Sequence, residues 1–331
     1  MKFIRSGLGM AGVLLGLTMA ACTGGGGGDS GHPGAPDGKA REATIEEGEV
    51  QVVQGSSVIG GISVPDGTYT ATQVVTISND DGGASSGRVS LTTLAGDISA
   101  TPSAGGYKIT VSLRATGDSE EAARDGLAAM QVVHSDELGG GVLALGTEVQ
   151  FANNNANNQS AEIAAELPAA LSYELRQRAT GGNLGATGLN GTELDLSNTG
   201  GNLEADGVWN VFAVDSTSGD ISFDGDSGDV TVATTSGDVT LVLASELGGS
   251  VVVDSTNGTA DIQVDSSIAG IGFDLEASTT SGALSIDVAG TEAVGEQSET
   301  NAHYRSSAYS SADPQLQVYA DTTSGSIIIH D

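Results

Sequence analysis

The stretch TSGDISFDGDSGDVTVATTSGDVTLVL, residues 217–243, decides the fold. It holds three copies of one unit: Thr217-Ser218-Gly219-Asp220-Ile221, Asp226-Ser227-Gly228-Asp229-Val230 and Thr235-Ser236-Gly237-Asp238-Val239. The first and last lead into runs with a period of two. Ile221 and Phe223 alternate with Ser222 and Asp224, and Val239, Leu241 and Leu243 alternate with Thr240 and Val242. A period of two sends successive side chains to opposite faces, so each run reads as a strand with one apolar face. A strand this short cannot bury that face alone, whereas stacked copies bury it continuously. Glycine at each corner fits a turn that needs positive φ or close backbone approach. The Ser, Thr and Asp beside it are residues whose side chains bond turn amides.

Working outward, weaker copies stand at Thr180-Gly181-Gly182-Asn183-Leu184, Thr199-Gly200-Gly201-Asn202-Leu203, Thr256-Asn257-Gly258, Thr280-Ser281-Gly282 and Thr323-Ser324-Gly325. Corner glycines 182, 201, 219, 237, 258, 282 and 325 are separated by 19, 18, 18, 21, 24 and 43 residues. Near-constant spacing with insertions predicts a β-solenoid of about 18–24 residues per coil, regular over 180–331. Upstream, Tyr107 to Ala115 alternates in the same way, and Leu94-Ala95-Gly96-Asp97-Ile98 echoes the unit. One short helical insertion is expected over Ser119–Met130, with Asp118 as its cap and Glu121 completing a capping box. Asn153-Asn154-Asn155-Ala156-Asn157-Asn158 reads as a surface loop. No linker interrupts residues 45–331, which predicts one all-β domain.

Composition narrows function. With 11 Lys+Arg against 43 Asp+Glu, the chain carries a formal charge of −32 and repels nucleic acid and anionic lipid surfaces. Only three lysines (Lys2, Lys39, Lys108) stand beside 25 aspartates, a balance that suits solubility in salt. Residues 1–21 read as an export signal: Lys2 and Arg5 precede an apolar run from Leu8 to Leu17, too short for a span, which needs roughly 20 apolar residues. Met19-Ala20-Ala21-Cys22 resembles the lipobox of bacterial lipoproteins, which implies lipidation of Cys22 and a membrane anchor. Leucine is usual where Met19 stands. Cys22 is the sole cysteine, so disulfides within the chain and cysteine metal clusters are excluded. Residues 22–44, opening on Thr23 and Gly24 to Gly28, form a flexible tether. Outer membrane or cell surface is the expected location.

The Thr-Ser-Gly-Asp-Ile/Val repeats, Glu166-Leu167-Pro168 ahead of the regular coils and the ending Leu316 to Asp331 resemble the bacterial β-strand-repeat family known as "putative adhesin", a domain of unknown function. The resemblance covers about residues 85–331. It implies a right-handed parallel β-helix and carries over no catalytic residues.

Candidate sites are weighed on that frame. Asp224, Asp226 and Asp229 come closest to a calcium β-roll motif, but the doubled glycine is missing and neighbouring coils do not repeat it. Solvated turn aspartates are the stronger reading over a structural Ca²⁺, and no other cofactor is expected. Trp209, the sole tryptophan, and Tyr304 and Tyr309 in the polar insertion Thr291 to Pro314 are candidate contacts for a surface glycan or protein. Core packing is the stronger alternative for Trp209. Arg176 and Arg178 share a strand face and suit a solvated or salt-bridged role better than catalysis. The Ile327-Ile328-Ile329 strand is expected to end the solenoid and leave an open edge for self-association. These readings together predict a cell-envelope lipoprotein that acts by surface contact, adhesin-like or structural, without catalysis. The alternatives are a glycan-active β-helix enzyme and a periplasm-facing scaffold or signalling protein.

Overall fold

The computed structural model describes residues 2–5, 38–59, 62–151, 158–244, 246–268, 270–307 and 309–331. Cys22, most of the export signal and most of the tether lie outside the described residues, as do residues 153–157 of the asparagine loop. The chain is all-β with one α-helix among the described residues, and its strand pairing is mixed. Two compact units emerge where one domain was expected over 45–331. The first comprises residues 1–98 and 103–170, the second residues 99–102 and 171–331. The first unit is built largely of antiparallel pairs, although Gly96, at φ +118°, makes a corner of the same kind as the repeat, as Leu94-Ala95-Gly96-Asp97-Ile98 predicted.

In the first unit the strands are β1 (Lys2–Arg5), β2 (Lys39–Ala40), β3 (Thr44–Glu47), β4 (Gln51–Ile59), β5 (Ile62–Asn79), β6 (Ser86–Ala95), β7 (Ile98–Ser103, shared with the second unit), β8 (Tyr107–Gly117), β9 (Gln131–Gly139), β10 (Val142–Gln150) and β11 (Gln159–Pro168). Strands β4, β5, β8 and β11 pair antiparallel in that order. So do β9 and β10, while β10 pairs parallel with β6. Alternation along β8 buries Tyr107, Ile109, Val111, Leu113 and Ala115 on one face. Helix α1 (Glu120–Ala128) adds Ala123 and Leu127 to the core. Its N-cap is Ser119 rather than Asp118, with the hydroxyl accepting from the Ala122 N–H at 3.1 Å. That shift of one residue puts Ala122 at the third helical position, so Glu121 forms no capping box. The tether also ends earlier than residue 44. Lys39 and Ala40 pair with β9, and the Arg41 N–H donates to the Asp136 carbonyl at 2.8 Å.

The second unit follows the repeat. Its strands are β12 (Ser172–Gly181), β13 (Leu184–Ala186), β14 (Gly191–Gly200), β15 (Leu203–Ser218), β16 (Ile221–Ser236), β17 (Val239–Leu243), β18 (Gly249–Asn257), β19 (Ala260–Val264), β20 (Gly272–Ser281), β21 (Leu284–Asp287), β22 (Thr291–Ala293), β23 (Asn301–Ser306), β24 (Gln315–Ser324) and β25 (Ile327–His330). They form two parallel ladders. The long one runs β12, β14, β15, β16, β18, β24, β20. The short one runs β13, β15, β16, β17, β19, β25, β21. Strands β15 and β16 are long enough to serve both. Inward residues meet between the ladders, where Phe212 and Phe223 stack with centroids 4.4 Å apart.

The recurring unit is a corner. Gly219 has φ +114°, and a β-carbon there would strike the Gly201 carbonyl of the preceding coil, so only glycine fits. After Gly182, Gly201, Gly219 and Gly237 the next residue caps the following coil. Asn183 Oδ1 accepts from the Asn202 N–H, Asn202 Oδ1 from Asp220, Asp220 Oδ1 from Asp238 and Asp238 Oδ1 from Thr259, at 2.8–3.0 Å. Inside the corner runs a buried polar row that includes Asn198, Ser216, Thr234 and Ser255. Ser216, Thr234 and Ser255 each donate to the carbonyl two residues on at 3.3 Å, which satisfies a group that faces away from water.

The coils do not stack in chain order. Strand β24 lies between β18 and β20, and β25 between β19 and β21. Ile327–Ile329 therefore does not end the stack as expected: Ile327 is opposite Ala260 on one side and Leu284 on the other. Both edges of that strand are hydrogen-bonded. On the long ladder, β20 is covered by antiparallel β23, itself paired with β22. On the short ladder the outermost strand is the four-residue β21.

Candidate functional site

Strand register sorts the outward face of the long ladder into rows. One row carries the motif threonines Thr199, Thr217, Thr235, Thr256, Thr323 and Thr280, all exposed. The next carries Asp215, Ala233, Asp254, Asp321 and Ser278. Ala233 is the short side chain in that row, and a depression of about 320 Å³ opens there, lined by Asp215, Asp254, Asp321, Thr235, Thr256 and Thr323 among others. A third row brings Thr231, Val252, Tyr319, Glu276 and His303 together. Tyr319 is among the exposed large side chains.

At the outer end of this face the insertion is pinned by one buried carboxylate. Asp274 of β20 meets His303 Nε2 and Arg305 Nη2 of β23, each at 2.6 Å. Burial pushes the Asp274 carboxyl up, but the hydrogen bonds and charge of Arg305 and His303 outweigh it and leave it below the ordinary range. The same contact raises the Arg305 guanidinium. Arg305 also lies 5.4 Å from the ring centre of Tyr309, whose hydroxyl accepts from Gln317 Nε2 at 2.6 Å. Asp274, Arg305, Tyr309 and Gln317 thus form one cluster of a carboxylate, a cation, an aromatic ring and an amide, with the exposed Tyr319 two residues from Gln317 on β24.

The structure treats the sequence candidates differently. Tyr309 joins the cluster. Tyr304 is half-buried and, by alternation, on the opposite side of β23 from His303 and Arg305. Trp209 is no contact residue: it is fully buried, its indole N–H donating to the Asp206 carbonyl at 3.1 Å. Its register partner is Gly191, where a β-carbon would sit 2.6 Å from the ring, so the glycine makes the room. Asp224, Asp226 and Asp229 are not brought together. Asp224 and Asp229 are exposed, whereas Asp226 is buried and accepts from the Leu247 N–H at 3.1 Å. Among the described residues no group of three His, Cys, Asp or Glu has metal-binding geometry. Arg176 and Arg178 both pair with Asp195, at 2.8 and 3.2 Å.

Sequence reasoning missed the chemically richest cluster, a buried chain in the first unit. Tyr107, His134, Asp136 and Thr147 are all at most 4% exposed. The Tyr107 hydroxyl donates to Asp136 Oδ2 at 2.9 Å and lies 3.3 Å from His134 Nε2, while His134 Nδ1 is 3.0 Å from Thr147 Oγ1. Because the one Tyr107 proton goes to Asp136, His134 Nε2 is the donor to the Tyr107 hydroxyl. Asn79 also donates to Asp136 Oδ2 at 2.9 Å, and the Arg41 Nε stands 3.8 Å from Asp136 Oδ1. Burial, with the Asp136 carboxylate beside it, pushes the Tyr107 hydroxyl up and keeps it a donor. The order Thr147–His134–Tyr107–Asp136 resembles a proton relay, yet its members are sealed from solvent. The one signal in the sequence was His134 and Asp136, two apart on the inward face of a strand that also holds Val132. A separate cavity of about 630 Å³ is lined by Gly67, Thr116, Asp118, Gly126 and Gln159 among others, and contains none of the four.

Residues 147–330 match a family model described as Toastrack DUF4097. No curated protein matches. Among solved structures, a "putative cell adhesion protein" from Clostridium sporogenes ATCC 15579 is similar at 13% identity and a TM-score of 0.34, over 87% of this chain and 99% of that one. A "putative adhesin" from Bacteroides fragilis NCTC 9343 is similar at 14% identity and a TM-score of 0.35, over 77% of this chain and 97% of that one.

Proposed function

The chain belongs to the Toastrack DUF4097 family, and from that premise we propose that it is an envelope lipoprotein acting by adhesin-like surface contact, without covalent chemistry. In this reading Cys22 carries the lipid, the glycine-rich tether holds the folded units off the outer membrane, and the second unit is a right-handed parallel β-helix. The outward face of its long ladder is the contact surface, and the partner is a surface glycan or protein.

The observation that carries the reading is the presence of Tyr319, Tyr309 and Arg305 on a face rich in carboxylates and hydroxyls. Aromatic and arginine side chains concentrate binding energy at contact surfaces, while flanking hydroxyls and carboxylates supply orientation. A face of net negative charge also discourages anionic polymers and selects neutral or cationic surfaces.

Two measurements test it. An epitope placed in the Thr291–Pro314 insertion should be lost when protease is applied to unbroken cells. Protection until the outer membrane is opened would sink the surface reading and leave a periplasm-facing scaffold. Separately, Tyr319→Ala with Arg305→Ala should weaken binding of the purified chain to target cells or a glycan array by at least tenfold, with unchanged circular dichroism. Unchanged binding would move the contact surface elsewhere.

A further inference from the structure

The position of the last coil has a consequence beyond surface contact and independent of it. Residues 315–331 follow β18 to β21 in the sequence, yet β24 and β25 fill a slot between β18/β19 and β20/β21. Their inward side chains Leu316, Val318, Ile327 and Ile329 are at most 1% exposed. Gly325 sits over Gly258, and Gly282 over Gly325, so each corner is shaped for this segment. Without it, β20 and β21 would have no strand to join them to the preceding coil, and both ladders would be broken by a gap one strand wide.

Such a slot has one occupant that fits by identity: the same segment of a second copy. The connection from Ser306 to Gln315 is eight residues, which extended reaches about 27 Å. The segment is clasped locally at its start, where Gln315 Nε2 donates to the Tyr309 carbonyl at 2.9 Å and Gln317 to the Tyr309 hydroxyl at 2.6 Å. Exchange between copies recreates every ladder and corner contact that the segment makes at home, so the two arrangements differ only in the path of the connection. We propose that residues 315–331 are an exchangeable strap, and that two copies of this chain dimerise by inserting it into each other's slot.

Asp254 and Asp321 are register partners on β18 and β24, both exposed. In the full chain with its native thiol removed by Cys22→Ser, Asp254→Cys in one preparation and Asp321→Cys in another are unfolded together, refolded and oxidised. Exchange predicts a covalent species of twice the chain mass in the mixture, sensitive to reductant and absent when either variant is treated alone. The chain carrying both substitutions should close its disulfide, since neighbouring strands fall within bridging distance. No dimer from the mixture, with an efficient bridge inside the double variant, overturns exchange. Failure of that internal bridge overturns the strap's placement and the proposal with it. If the variants do not fold, light scattering on the unmodified chain after refolding at rising concentration decides: a growing fraction of twofold mass supports exchange, and a monomer throughout refutes it.

Discussion

The side chain of Asp220 accepts a hydrogen bond from the main-chain N–H of Asp238, one coil further on, at 3.0 Å. The aspartate of the repeated unit is therefore a cap on the next coil. Asp220→Ala should cost about 0.5–1.5 kcal/mol in urea unfolding of the second unit. Asp220→Asn keeps the acceptor, as Asn183 and Asn202 do in the same ladder, and removes a stacked charge. It should be neutral or slightly stabilising at low salt.

The corner glycine invites a sharper test. Gly219→Ala forces an L side chain to φ +114° and against the Gly201 carbonyl, and should cost at least about 1–3 kcal/mol. Gly105 has open space and no such backbone angle. Gly105→Ala should stay within about 0.5 kcal/mol. Equal effects from the two would mean that the corner is not the constrained element.

Acid should loosen the insertion. Asp274 has a carboxyl held below its ordinary value in the folded state, so its contribution is fully present above the unfolded value of about 3.9. It is lost as pH falls from there through the lower, folded value. Hydrogen exchange of β22 and β23 should accelerate over that interval. Asp274→Asn should show the faster exchange already at neutral pH and no further step in acid.

The sealed chain in the first unit predicts a stability effect rather than an activity. Tyr107→Phe removes a donor to Asp136 and leaves His134 Nε2 without its acceptor, at a cost of about 1–3 kcal/mol. Tyr69 is half exposed and accepts from Gln54 Nε2 at 3.1 Å, so Tyr69→Phe should fall within about 0.5 kcal/mol. Unfolding midpoints followed in urea check both.

Much of the second unit was legible because its rules are local. Alternation at Ile221 and Phe223 marks a strand, Gly219 marks a corner, and the spacing of 18 residues gives the coil. The pair Arg176 and Arg178 read as solvated or salt-bridged, and both pair with Asp195. Trp209 was ambiguous, because alternation alone does not say which face is inside. Only the space left by Gly191 on the neighbouring strand settles it. The first unit was misread for a related reason. Clean alternation along Tyr107–Ala115 is the same whether the neighbours run parallel or antiparallel, and here they run antiparallel.

The sequence by itself determined the strands, the corner glycines, the side chains that cap each coil, and a strongly acidic surface. Those depend on a few neighbouring residues and on the chirality of the backbone. Tertiary structure alone decided the order of the coils, the split into two units and the gathering of Asp274, His303, Arg305, Tyr309 and Tyr319. Each coil presents the same apolar inner face and the same glycine corner, so by pattern Gly325 fits over Gly258 as well as beyond Gly282. Local periodicity cannot choose between them, and the choice falls to long-range pairing, which places β24 and β25 between two coils made before them.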